Sequence, residues 1–463
     1  MADGAAQTSG VLLRPARRAA SATTAIVALG LLAAGLTRGF EAADPSLPVA
    51  LAAGLAAIAI LALTIARYDA AVALGFLLMA VVEIEPAPPD AVFAVIIAVA
   101  IATGRFGASR APISITLPIA AFVLMNAASM LASVELPVAL RFSLITVYLA
   151  VLALWLAGWL DSARRARILV VTWLLVAVAS ALLGIAVVYV GIPGAEILMD
   201  GTQTRANVLF EDANVYGPFL VPIAAILLEE RLRPQLLRLR GFVIGALFLI
   251  LALGVVVSFS RAGWINFVVA TLVMLSVVAL RRRGGRRALR MLVMLVVAGV
   301  AVLAVMQSTG SLGFFEERAQ LQSYDTERFT AQRAGIDLAT SHAAGVGPGQ
   351  FRFYHSLEAH STYVRVLAEQ GVVGLLAWLA LIGVTLGLAV ANALAGRDTF
   401  GIGSAALLGA WCGLLVNSAV VDTLHWRHLW VVAALIWAGS VSAGSPRPTP
   451  AGRPPRVEVR TAS

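Results

Sequence analysis

The sequence predicts an all-α, polytopic membrane protein of about 14 (12–14) transmembrane helices with one long extracytoplasmic loop. Three observations predict it. The 463-residue chain is 60% hydrophobic and only 13% charged, with a mean hydropathy of +0.90; a water-soluble domain devotes about a quarter of its residues to charge. The apolar residues fall into runs of roughly 20, the length that crosses a hydrocarbon core. The basic residues, all 34 of them Arg, cluster between those runs, where the positive-inside rule places them.

Taken in order, the expected spans are 22–39, 48–66, 69–83, 90–104, 113–131, 139–160, 167–190, 214–229, 241–257, 262–280, 290–307, 362–393, 401–419 and 427–443. The first follows Arg14, Arg17 and Arg18 and reads as an uncleaved span rather than a signal peptide. The third and fourth are short enough to form a re-entrant pair instead. With the N-terminus in the cytoplasm, Arg105 and Arg110, Arg164 to Arg167, Arg231 to Arg240 and Arg281 to Arg290 all fall inside. Glu41, Asp44, Glu83, Glu85 and Asp90 fall outside. Trp264, Trp426 and Trp430 sit near expected outer ends, where an interfacial belt forms. The Pro- and Arg-rich stretch 446–463 reads as a disordered basic cytoplasmic tail.

The net charge of +9 does not point to nucleic acid, because the arginines are spent on topology. Cys412 is the single cysteine, so no intramolecular disulfide and no cysteine metal site are expected. Glu83 and Glu85 form an acidic pair outside; a solvated loop is favoured over a metal site. No P-loop and no internal repeat is evident.

The polar residues then segregate. All five histidines (His342, His355, His360, His425 and His428) and ten of the arginines fall outside. The outside arginines oppose the topology rule and need another reason. The one long loop, 308–361, is also outside, and loops of that length are functional or disordered. Asp325-Thr326 is placed to cap a helix running to about Thr340, and Gly345, Gly347 and Gly349 mark a turn. His360 stands immediately before the next span, at a helix N-terminus that favours an anion nearby. Arg205 and Arg261 are cations at the outer boundary with little acidic compensation nearby, and a diphosphate would supply the missing charge. The alternative for both is snorkelling to lipid headgroups. Arg328 and Arg333 read equally as a solvated helix face. Arg365 and Glu369, at i and i+4, read first as an internal ion pair. The remaining histidines read as structural or solvated.

Several of these segments together resemble the O-antigen ligase and polymerase family of bacterial membrane glycan transferases. They are Glu327-Arg328 to Arg333, Gly345-Val-Gly347-Pro-Gly349-Gln-Phe351, and His360-Ser-Thr-Tyr363 to Glu369-Gln-Gly371-Val-Val-Gly374. The Ser260-Arg261 turn and the Arg205 to Asn214 stretch belong to the same pattern. The resemblance covers about residues 200–395 by motif. Two positions depart from it: Ser361, where Asn is common, and Gln332, where Trp often stands.

The resemblance implies 1–200 as N-terminal transmembrane helices, 201–445 as a ligase-like catalytic membrane region containing loop 308–361, and 446–463 as the tail. It implies transfer of a glycan from undecaprenyl diphosphate to an acceptor hydroxyl on a glycan, lipid or protein, on the outer face of the cytoplasmic membrane. No cofactor, metal or nucleotide sugar is expected. His360 matches the essential histidine and is expected to accept or orient the acceptor proton. Arg205 and Arg261 match the diphosphate arginines. Arg328, Asn214, Tyr363 and Glu369 are expected to support them. A single displacement would invert the anomeric centre. A polymerase of the same family and, from another class, a solute transporter are the alternatives; a membrane scaffold gives no reason for the outside arginines.

Overall fold

The computed structural model describes residues 47–83, 87–106, 111–190, 194–200, 205–281, 285–308, 313, 320 and 323–443. The expected first span, Glu85 and the tail lie outside the described residues. Among the described residues the chain is helical, with isolated bridges only at Met199–Ala206 and Thr399–Ile402 and no named strand.

The helices are α1 (Leu47–Ala66), α2 (Tyr68–Leu77), α3 (Pro88–Ala102), α4 (Ile113–Ser129), α5 (Leu136–Trp159), α6 (Ala163–Val190) and α7 (Ala213–Leu232). They continue as α8 (Gly241–Val257), α9 (Arg261–Leu280), α10 (Gly285–Ser308), α11 (Ser323–Ser341), α12 (Thr362–Ala395), α13 (Ser404–Asn417) and α14 (Arg427–Ala443). Each described span expected from the sequence corresponds to one of these, offset by a few residues at its ends. Five are long and apolar enough to cross a bilayer outright: α4 with its 3₁₀ extension, α5, α6, α9 and α12. Shorter apolar helices, including α2, α3, α8 and α13, pack among them. The chain is an integral membrane protein.

Helix α7 is the hub. Its residues from Phe219 to Glu230 are all buried, and a helix apolar around its whole circumference belongs in an interior. It contacts α8, α9 and α13, while α12 packs on α4, α13 and α14. Pro218 and Pro222 lie inside α7, where neighbouring helices offset the lost backbone bonds. Helices α1 and α10 lie at the periphery and expose Leu51, Leu55, Val296 and Val297. In a bilayer such apolar faces meet lipid tails.

Trp426 and Trp430 correct an expectation. They are not an interfacial belt but are buried, 7% and 2% exposed. Trp430 Nε1 donates to the Leu424 carbonyl at 2.8 Å and its ring packs against Trp378. Hydropathy locates a helix end without telling which face turns inward.

One end of the bundle is fastened by buried carboxylates. Glu229 accepts from Arg281 Nη1 at 2.9 Å and from the Ala406 amide at 2.6 Å. Arg281 reaches on to Ser404 and the Ala393 carbonyl, so the ends of α7, α9, α12 and α13 share one ionic knot. Glu230 accepts the backbone amides of Gln235, Leu236, Leu237 and Arg238. The opposite end carries His360, Arg205 and Arg261 and is called the site end below.

Candidate functional site

Three of the helices that begin at the site end do so at a polar cap. Asp212 accepts from the Asn214 amide at 2.9 Å and starts α7. Ser260 accepts from the Gly263 amide at 3.1 Å and starts α9. Ser361 accepts from the Val364 amide at 3.5 Å and starts α12. The last two share a further device: the residue before the serine holds a left-handed backbone, Phe259 at φ 46° and His360 at φ 44°. Side chains larger than glycine rarely adopt that conformation, and such strain gathers at functional positions.

Arg205 and Arg261 enter from either side of the α9 turn. Arg205 Nε donates to the Ser258 carbonyl at 3.2 Å, and Nη2 to Asn214 Oδ1 at 3.0 Å. Asn214 Oδ1 also accepts from Ser260 Oγ at 2.8 Å, so Asn214 joins Arg205 to the cap of α9. Arg261 Nη2 donates to Asp325 Oδ1 at 2.5 Å, and Nη1 to the Gln320 carbonyl at 2.9 Å. These contacts correct the expectation that the two arginines lack acidic compensation. Arg261 is paired with Asp325 in α11, and Arg205 Nη1 stands 4.0 Å from Asp200. Asp325 lies 64 residues from Arg261, which local reading does not reveal, whereas Asp200 lies only five residues before Arg205. Protein groups hold both guanidinium groups.

Asp325 is also not a cap. Helix α11 starts two residues earlier, at Ser323, and places Asp325 in its first turn. The helix turns Asp325, Ala331, Gly335 and Ala339 inward and leaves Arg333 exposed. Gln332 Nε2 donates to the His360 carbonyl at 3.4 Å, so the residue that departs from the family pattern grips the strained backbone.

His360 is half-buried. Burial lowers the pKa of its imidazole below the ordinary value, and the Arg328 cation lowers it further. Asp212, Glu358 and Asp422 act in the opposite direction. The five groups come from four different segments, and His360 lies within electrostatic reach of all the others. A neutral imidazole at neutral pH is free to accept a proton.

Beneath His360 lies a buried network that sequence reading reached only in part. Arg365 and Glu369 pair as expected, Nε to Oε2 at 3.2 Å. Arg365 also pairs with Asp422, in the connection between α13 and α14, and stacks its guanidinium 4.8 Å from the Phe142 ring. Asp422 Oδ1 further accepts from Thr362 Oγ1 at 3.2 Å. Burial alone would raise its carboxyl pKa, but Arg365 and His425 bring it below the usual carboxylate range. Glu369 turns its other oxygen to the Phe351 amide at 3.4 Å. Tyr363 does not face this network; its hydroxyl donates to the Leu415 carbonyl at 2.9 Å and ties α12 to α13.

The glycine stretch is a turn, as expected, and its amides are used within the protein. The amides of Val346 and Gly347 are given to the carbonyls of Ala368 and Glu369. Helix α12 is broken there by Gly371 at φ 71°, and a Cβ on Gly345 would stand 2.3 Å from the Glu369 carbonyl oxygen. Gln350, fully buried, exchanges two hydrogen bonds with the backbone of Glu135, at 2.9 and 3.0 Å.

His425 and His428 pack against protein groups. His425 is 3.0 Å from Thr146 Oγ1, and burial, then Arg365, push its pKa down to about 3. His428 is 2% exposed and meets Phe219 edge-on. Glu83 is exposed and carries no second carboxylate among its described partners.

Residues 246–379 match the family model described as O-antigen ligase. The matched segment contains Arg261, Arg328, His360, Tyr363 and Glu369; Arg205, Asn214 and Asp422 lie outside it. No curated protein matches the chain.

Proposed function

We propose that the protein, whose residues 246–379 match the O-antigen ligase family model, transfers a glycan from undecaprenyl diphosphate to an acceptor hydroxyl on the outer face of the cytoplasmic membrane. The carrying observation is the placement of His360. Its imidazole is half-buried at the head of α12, kept below its ordinary basicity and held by a strained backbone inside the matched segment.

In this reading the acceptor oxygen attacks the anomeric carbon while the bond to the diphosphate oxygen breaks. His360 receives or orients the hydroxyl proton. Negative charge grows on the departing diphosphate, and Arg205 and Arg261 stabilise it from either side of the α9 N-terminus. The departing oxygen leaves with the polyprenyl diphosphate, and the anomeric configuration inverts. Arg261 meets that charge only by sharing or exchanging Asp325, which couples donor binding to α11. No step requires ATP, since the glycosyl-diphosphate bond supplies the driving force. Asn214 fixes Arg205, and Glu369 fixes Arg365 and the Phe351 amide. With both termini taken as inside, as the distribution of arginines favours, this end is expected outside.

The test uses purified protein in nanodiscs with a labelled undecaprenyl-diphosphate oligosaccharide and candidate acceptors. A single transfer product lost in His360→Ala supports a ligase. A ladder of lengthening products lost in the same variant supports a polymerase, whose chemistry is identical. A donor left intact with every acceptor overturns the reading and returns the transporter alternative.

A further inference from the structure

Helices α9 and α13 run antiparallel with their backbones almost touching. A Cβ on Gly409 would stand 2.3 Å from the Ala270 carbonyl oxygen, and one on Gly413 would stand 2.2 Å from Asn266 Oδ1. One turn further along α13 the same register brings Asn417 to the level of Ala262, in the first turn of α9. Asn417 is also the last residue of α13, and the carbonyl of the next residue, Ser418, accepts the Thr362 amide at 2.9 Å. Asn417 therefore lies between the N-terminus that carries Arg261 and the N-terminus that carries His360.

Its side chain is fully buried, and neither its nitrogen nor its oxygen has a hydrogen-bond partner among the described residues. The same holds for Asn266, one turn deeper in the same seam. The hydroxyls beside them are paired: Ser418 with Thr423 at 2.6 Å, and Thr423 with Thr362 at 3.1 Å. A primary amide offers two donors and an acceptor, and sealing it away from all partners is unfavourable, most of all at membrane depth. Leucine would fill the same volume without that penalty. The amide thus calls for a partner that the closed seam excludes. Being uncharged, with donor and acceptor together, it complements a hydroxyl group; the arginines already supply the charge for phosphate.

We propose that Asn417 is a sugar-binding residue, whose amide takes a hydroxyl of the sugar attached to the diphosphate when the site ends of α9 and α13 part. This rests on the transfer reading above and adds a subsite to it.

The test compares wild type with Asn417→Leu and Asn417→Gln, using the lipid-linked donor in nanodiscs. Asn417→Leu should melt at or above the wild-type temperature yet lose about tenfold or more in transfer, with part of the loss restored in Asn417→Gln. Wild-type transfer by Asn417→Leu would overturn the proposal. A second measurement serves if the leucine variant fails to fold: Asn417→Cys in a Cys412→Ser background, alkylated with N-ethylmaleimide. Slow labelling that the donor suppresses supports the subsite; labelling that the donor leaves unchanged, or none at all, overturns it. If wild type leaves the donor intact while the donor still suppresses labelling of Asn417→Cys, the transfer reading falls and the subsite stands.

Discussion

Arg261 and Asp325, 64 positions apart, form an ion pair of 2.5 Å that fastens the loop helix α11 to the first residue of α9. The side chains are 23% and 11% exposed, so the pair is screened only in part. Asp325→Asn keeps the shape and removes the charge, and should loosen α11 by about 1–3 kcal/mol. Hydrogen exchange over residues 323–341 should quicken accordingly while α9 and α13 stay protected. Unchanged exchange in α11 would mean that its packing on α12, rather than this pair, holds it.

Arg328 acts on His360 at a distance, and its removal should be visible as a pH shift. The imidazole pKa lies below its ordinary value, first through burial and then through Arg328. If the neutral imidazole is the active form, transfer falls as pH drops through that lowered pKa, below about 6.5. Arg328→Gln removes one lowering influence, so the acid limb of kcat/KM should move to higher pH. The folding linkage has the same sign: a histidine held neutral favours the fold above its unfolded pKa and disfavours it as pH falls. An acid limb at the same pH in both proteins would remove His360 from the proton step or Arg328 from its surroundings.

The strained backbone makes His360 separable into two functions. Glycine takes a left-handed conformation without penalty, whereas a β-branched residue does so at about 1–3 kcal/mol. His360→Gly should therefore fold at least as stably as wild type and transfer nothing. His360→Val should lose both activity and stability, by several degrees in Tm. Equal melting temperatures for the two variants would show that the φ of 44° is not maintained by the surrounding fold.

Much of this was legible in the chain, and the boundary is physical. Spans are written locally, as apolar runs of fixed length, so their order emerged from hydropathy. The Arg365–Glu369 pair was legible because helix geometry brings i and i+4 together. Asp422 was not, since its partner Arg365 is 57 residues away and on a different element. The same distance in sequence hid Asp325 from Arg261 and made that arginine look uncompensated. His360 stood out through its motif and its place before a span, although nothing in the sequence announces its φ. The tight α9–α13 seam was foreshadowed only by Gly409 and Gly413 four residues apart.

The buried triad yields an asymmetric prediction. Arg365 is held by two carboxylates, Glu369 and Asp422, and all three belong to the layer beneath His360. Removing Asp422 leaves Arg365 its other partner, whereas removing Arg365 strands both acids at once. An uncompensated buried charge is far more destabilising than a shortened network, about 3–5 kcal/mol when a buried pair is broken. Asp422→Asn keeps a hydrogen-bonding group near Thr362 and Arg365, so its loss should be nearer 1–3 kcal/mol. The Asp422 carboxyl pKa is held below the usual range, so its contribution is present above the unfolded pKa of about 4. It fades only as pH falls through the lowered value. The two variants should therefore differ at neutral pH, with Arg365→Met melting well below Asp422→Asn. Because Arg365 also stacks on Phe142, Arg365→Met should loosen α5 against α12 as well, seen as faster exchange around residue 142. The reverse order of melting temperatures would mean that Asp422, through Thr362 and the start of α12, rather than Arg365, is the keystone of this layer.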